Sequence, residues 1–185
     1  MTIPNILTLS RVALIPVLIA MLFADDPALR LWSFGLFVVL AVTDYLDGYL
    51  ARVLDQASAL GALMDPIADK VLVAALIVGL VARGDIAGWD VAGAILILCR
   101  EFLVSGLREF LAQRDLPLPV TKLAKWKTTA QLVALALLIL APLAEPGQLL
   151  AISALWWVAT ALTLLTGFDY TRSAVRHLKP AAGDM

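Results

Sequence analysis

One cysteine and one histidine in 185 residues leave this chain almost without the side chains that build soft-metal sites. A lone Cys99 excludes an intrachain disulfide and a cysteine zinc site, and its place inside AILILCREF reads as a small buried apolar residue. His177, near the C-terminus, reads as a solvated tail residue rather than a ligand. Charge is scarce as well. Only 16% of residues are charged, where a soluble domain carries about 25%, and a net charge of −1 gives no basic face, so no nucleic-acid partner is expected. Low-complexity tracts and internal repeats are not evident. With no small-residue cleavage site before Asp25, the N-terminus reads as an uncleaved first span rather than a removable signal.

What fills the chain is apolar. Hydrophobic residues make up 62% of it and the mean hydropathy is +0.92, which places it in the membrane class. A bilayer-spanning helix needs about 20 mostly apolar residues. Six stretches qualify, at roughly 9–24, 30–50, 60–83, 88–111, 122–144 and 149–173. The expected fold is therefore all-α, a polytopic membrane protein of six transmembrane helices forming one domain over 1–185. Pro4 and the polar positions Asn5, Thr8, Ser10 and Arg11 add the expectation of a short interfacial helix before the first span. The tryptophans Trp32, Trp89, Trp126, Trp156 and Trp157 read mostly as interfacial anchors.

Lysine and arginine positions set the orientation. With six spans, Arg11, Arg52, Arg108, Arg114, Lys122, Lys125, Lys127, Arg172, Arg176 and Lys179 share one side, and only Arg30 and Arg83 lie on the other. That ten-to-two split puts both termini in the cytoplasm, with the cytoplasmic mouth at the ends of the second and third spans.

Four aspartates stand at that mouth, Asp44 and Asp47 in VTDYLDGYLAR and Asp65 and Asp69 in GALMDPIADK. A charged residue in the hydrocarbon layer costs about 2.5–3.5 kcal/mol on insertion scales, so four need compensation. At about 100° per residue, Asp44, Asp47, Gly48, Ala51 and Arg52 cover an arc of about 140°, and Gly61, Asp65 and Asp69 fall within about 80°. Adjacent antiparallel helices can bring these faces together. An all-oxygen donor set suits Mg²⁺ or Mn²⁺, and paired carboxylates could hold two ions. Gly48 and Ala51 leave room for a ligand, Arg52 can reach a phosphate, and Pro66 would bend the third span and widen the space. Carboxylates paired with Arg52, Lys70 or Arg100 as interhelical glue, and a cation transporter, remain alternatives.

Together the residues read Asp44-x2-Asp47-Gly48-x2-Ala51-Arg52-x8-Gly61-x3-Asp65-x3-Asp69. This resembles the signature of the CDP-alcohol phosphatidyltransferases, integral membrane enzymes that join a CDP-linked lipid or alcohol to a second alcohol. The resemblance implies that Asp44, Asp47 and Asp65 ligate two divalent cations, with Asp69 as ligand or general base. It implies also that Asp47, Gly48, Ala51, Arg52 and Gly61 surround the CDP moiety.

Two further stretches, Pro4-Asn5-Ile6-Leu7-Thr8-Leu9-Ser10-Arg11 and Arg100-Glu101-Phe102-Leu103-Val104-Ser105-Gly106-Leu107-Arg108-Glu109 followed by Lys125-Trp126-Lys127-Thr128, resemble one bacterial branch of that family. Its members use CDP-diacylglycerol and sn-glycerol 3-phosphate. A glycine often stands in those relatives where this chain has Ala124. Arg108, Lys125 and Lys127 at the cytoplasmic span ends would suit the acceptor's phosphate, although a plain positive-inside flank would look the same. Arg100 and Glu101 can equally be an internal ion pair. Serine or inositol phosphate as acceptor is the alternative within the family, and a homodimer is implied by resemblance alone.

Overall fold

The computed structural model describes the backbone of residues 3–53, 59–114, 116, 118 and 121–178, and the side chains of 5–43, 61, 64, 67–114, 116, 118, 121–176 and 178. Among the described residues six α-helices follow one another: α1 (Ile3–Phe23), α2 (Pro27–Val53), α3 (Ala59–Arg83), α4 (Asp90–Ala112), α5 (Lys122–Leu140) and α6 (Pro146–Leu178). A single 3₁₀ turn, Ala141–Leu143, separates the last two. No strand occurs among the described residues. The helices match the six apolar stretches to within a turn or two at each end.

Each helix buries one stripe. On α1 it is Asn5, Thr8, Arg11, Ile15, Leu18 and Leu22, and on α2 it is Arg30, Ser33, Phe37 and Leu40, both at helical three- and four-residue spacing. The opposite faces are not polar, as they would be in water. They expose Val17, Leu31, Trp32, Val39, Val78, Ile95, Phe102, Leu150, Leu165 and Phe168. Helices that are apolar on both faces need lipid outside, so this is a polytopic membrane protein. Three described segments, Asn5–Phe23, Lys122–Leu143 and Pro146–Arg176, are long and apolar enough to cross a bilayer by themselves.

Helix α1 packs on α2 and α3, α6 packs on α4 and α5, and contacts of α2 with α5 and of α3 with α4 and α5 join the two groups. Small residues allow close approach. A Cβ on Gly93 would stand 2.7 Å from the Trp156 indole nitrogen, and one on Gly167 would stand 2.7 Å from Arg100 Cγ.

The end opposite the aspartates is fixed by local chain chemistry. Gly84 takes φ +81° and closes α3, with Gly84 N–H donating to Val81 O at 3.0 Å and Asp85 N–H to Leu80 O at 2.9 Å. That turn aims Asp85 at Arg30, whose Nη2 pairs with it. Arg30 also donates through Nε to Ile139 O at 2.7 Å and through Nη1 to Leu22 O at 3.2 Å. One buried guanidinium thus caps the last turns of α1 and α5, whose carbonyls have no helical partner, while pairing with the α3–α4 turn.

Three expectations change. The N-terminal polar segment is continuous with α1 rather than a separate surface helix, and Asn5, Thr8 and Arg11 face inward because α2 and α3 cover that side. Trp156 is wholly buried, donating to Asp90 O at 3.0 Å, since Gly93 leaves space for its ring. Cys99 is exposed on the outer, apolar face of α4, beside exposed Ile95, Leu96, Phe102 and Leu103, rather than buried.

Candidate active site

The aspartates belong to two helices in contact through α1. Asp44 and Asp47 lie in α2 and Asp65 and Asp69 in α3, near the ends that the short 54–58 connection joins. The side chains of Asp44, Asp47, Gly48, Ala51, Arg52, Asp65 and Pro66 lie outside the described residues, as does His177. Gly61 is half-buried in the first turn of α3, and Asp69, two turns further on, keeps its carboxylate 40% exposed. Among the described residues no three metal-ligating side chains gather. The one described member of the acidic signature, Asp69, is an accessible oxygen donor of the kind a hard divalent cation takes.

Beside Asp69 the structure reveals a buried ionic cluster. Glu101 of α4 accepts from Lys127 Nζ of α5 at 2.5 Å and from Arg100 Nη1 at 3.0 Å on Oε1, and from Lys70 Nζ of α3 at 3.0 Å on Oε2. Lys70 Nζ is also 3.8 Å from Asp69 Oδ2. Arg100 Nη2 donates to Thr166 Oγ1 of α6 at 3.0 Å, and its guanidinium lies over the Tyr170 ring at 5.8 Å. Tyr170 Oη in turn accepts from Thr121 N–H at 3.3 Å, just before α5 begins. Three helices therefore meet at one carboxylate, and α6 joins them through Arg100. In a low-dielectric interior such charges persist only when paired, which is why Glu101 is surrounded.

The three basic residues singled out in the sequence do not share one surroundings. Lys127 is 4% exposed and turned to Glu101, whereas Lys125 and Arg108 are exposed. Two residues apart on a helix point about 200° from each other, so Lys125 and Lys127 face opposite ways. Lys70 and Glu101 were not expected as site members. Glu101 lies in the stretch that resembles the bacterial branch, and Lys70 is marked by charge inside an apolar run; nothing in the sequence marks Thr166 or Tyr170 as their supports.

On the outer surface of α3, an apolar groove of about 300 Å³ lined by Val71, Ala74, Ala75, Val78 and Phe102 ends at Lys70. The groove is apolar throughout, Lys70 lining it with its alkyl stem while its ammonium turns to Glu101, and such an open slot suits a hydrocarbon chain.

A family model described as CDP-alcohol phosphatidyltransferase matches residues 1–166. Three similar proteins carry the name CDP-diacylglycerol–glycerol-3-phosphate 3-phosphatidyltransferase. One from Rickettsia bellii (strain RML369-C) is 40% identical over 176 residues, covering 94% of this chain and 96% of the relative. One from Cereibacter sphaeroides is 40% identical over 215 aligned positions, covering 96% and 97%. One from Pseudomonas fluorescens is 39% identical over 183, covering 97% and 93%.

Proposed function

The chain belongs to the CDP-alcohol phosphatidyltransferase family, and on that footing we propose that it transfers the phosphatidyl group of CDP-diacylglycerol to sn-glycerol 3-phosphate. The products are phosphatidylglycerophosphate and CMP. One observation carries this reading: near-full-length identity of about 40% to relatives bearing that activity as their name. The signature Asp44-x2-Asp47-Gly48-x2-Ala51-Arg52-x8-Gly61-x3-Asp65-x3-Asp69 supports it independently.

Asp44, Asp47, Asp65 and Asp69 would hold two divalent cations, Mg²⁺ or Mn²⁺. When bound, these supply charge neutralisation for the diphosphate and for the departing CMP. The lipid enters sideways from the bilayer, with the groove beside Lys70 as a path, and Gly48, Ala51, Arg52 and Gly61 cradle the CDP. Asp69, with its accessible carboxylate, takes the proton of the acceptor's primary hydroxyl as that oxygen attacks the β-phosphorus. Lys127 and Arg108 serve the acceptor's phosphate, the buried ammonium from below and the exposed arm from the mouth, whereas Lys125, on the opposite face of α5, is left to the positive-inside flank. The six helices span the inner membrane as one domain with the site and both termini facing the cytosol, and the protein works as a homodimer.

Purified protein in detergent, given CDP-diacylglycerol, Mg²⁺ and a panel of labelled acceptors, tests the assignment. Phosphatidylglycerophosphate should form from glycerol 3-phosphate, and no lipid product from serine or inositol phosphate. Excess chelator should abolish turnover, restored by Mg²⁺ or Mn²⁺ and poorly by Ca²⁺, whose longer bonds and higher coordination fit the site less well. Product from another acceptor alone would overturn the acceptor assignment, and full activity in chelator would overturn the metal-assisted one.

A further inference from the structure

Among the described residues the buried cluster holds more positive than negative charge. Lys70, Arg100 and Lys127 share the carboxylate of Glu101, with Asp69 a more distant second partner for Lys70 at 3.8 Å. Scaffold pairing alone would be met by one cation per carboxylate, since every additional buried charge adds a desolvation penalty. A surplus of cations around one anion is the arrangement that a second anion, arriving with substrate, would complete.

We infer that Glu101 is a positioning residue for the acceptor site: its buried carboxylate fixes Lys127 through one oxygen and Lys70 through the other, and so sets both ammonium groups relative to Asp69. This rests on the glycerol 3-phosphate reading above. A lysine carries a point charge on a flexible four-carbon stem, which a phosphate would otherwise have to order on binding. Glu101 occupies one of the three donors of Lys127 and leaves the others for a phosphate. Arg100 makes Glu101 itself rigid. Its guanidinium ties the carboxylate to Thr166 of α6, and its stem passes Gly167, where any side chain would collide with it. Lys70, held at 3.0 Å by Glu101, is drawn off the closer ion pair that it would otherwise form with Asp69, so the base stays accessible.

Steady-state kinetics of Glu101→Gln in detergent test this, with thermal unfolding of the same sample as a folding control. Glutamine keeps the shape and one acceptor oxygen but removes the charge that holds the lysines. The KM for glycerol 3-phosphate should rise roughly tenfold, the value of one weakened charge-assisted contact, while that for CDP-diacylglycerol stays within about twofold. In a Lys127→Met background the same substitution should raise the acceptor KM by less than it does in the wild type, because part of the effect of Glu101 runs through Lys127 and only the part through Lys70 is left. Lys70→Met removes surplus charge without orphaning Glu101, and should raise the acceptor KM even if Glu101→Gln does not fold. An unchanged acceptor KM in a folded variant, a loss of thermal stability alone, or full additivity with Lys127→Met would overturn the inference and leave the activity standing. A wild type that does not convert glycerol 3-phosphate would overturn both.

Discussion

Replacing Asp85 by asparagine should destabilise this protein more than any other isosteric change at the end remote from the site. Asp85 and Arg30 are both buried, with side chains 8% and 4% exposed, and they pair directly. Removing one partner of such a pair leaves an uncompensated buried charge and costs about 3–5 kcal/mol. Two features set the value here near the lower limit. Arg30 retains its bonds to Ile139 O and Leu22 O, and an asparagine oxygen can still accept from Nη2. Arg83, 3.7 Å from Asp85, also keeps its contact with Asp25 at 3.2 Å. About 3 kcal/mol follows, a change of roughly a hundredfold in the unfolding equilibrium. Arg30→Met should cost at least as much, because it also uncaps the last turns of α1 and α5. The double variant, with no unpaired charge left, should cost less than the sum. Titration of the detergent-solubilised protein with a denaturing detergent, followed by circular dichroism, measures these differences. Kinetics at low temperature should not change, since 14 residues of helix, about 21 Å, separate Arg30 from Asp44. Stability within about 0.5 kcal/mol of wild type, or strict additivity, would refute the capped-pair account.

Two other expectations concern packing and topology. Gly167→Ala and Gly93→Ala should each cost roughly 1–3 kcal/mol in unfolding assays, because the added methyl would sit 2.7 Å from Arg100 Cγ or from the Trp156 indole nitrogen. Gly35→Ala, with nothing within 4 Å of the new Cβ, should be neutral or stabilising in the same assay. In a Cys99→Ser background, cysteines at Asp26 or Gly147 should react with an impermeant thiol reagent outside intact cells, and cysteines at Gln113 or Lys122 should not. The reverse pattern would put the aspartates on the wrong side of the membrane.

The number, length and order of the helices were legible in the sequence because a bilayer imposes a single constraint on each: about 20 apolar residues bounded by polar turns. The aspartate signature was legible for a similar reason, since charge is too costly in such helices to occur without a task. Orientation of the individual helix faces was not. Both faces of these helices are apolar, so hydrophobic periodicity carries little information about which one meets protein. Trp156 inside, Cys99 outside and an inward-facing Arg11 were decided by which neighbours packed there. Lys125 and Lys127 looked alike in sequence, and only the packing of α5 against α6, α2 and α3 turned one to Glu101 and the other to the surface. By itself, then, the sequence determined the membrane class, the six helices and the acidic signature, all properties of single segments. The partners of each charge, Arg30 with Asp85 and Glu101 with Lys70 and Lys127, are contacts between residues up to 55 positions apart along the chain. They exist only once the helices are assembled.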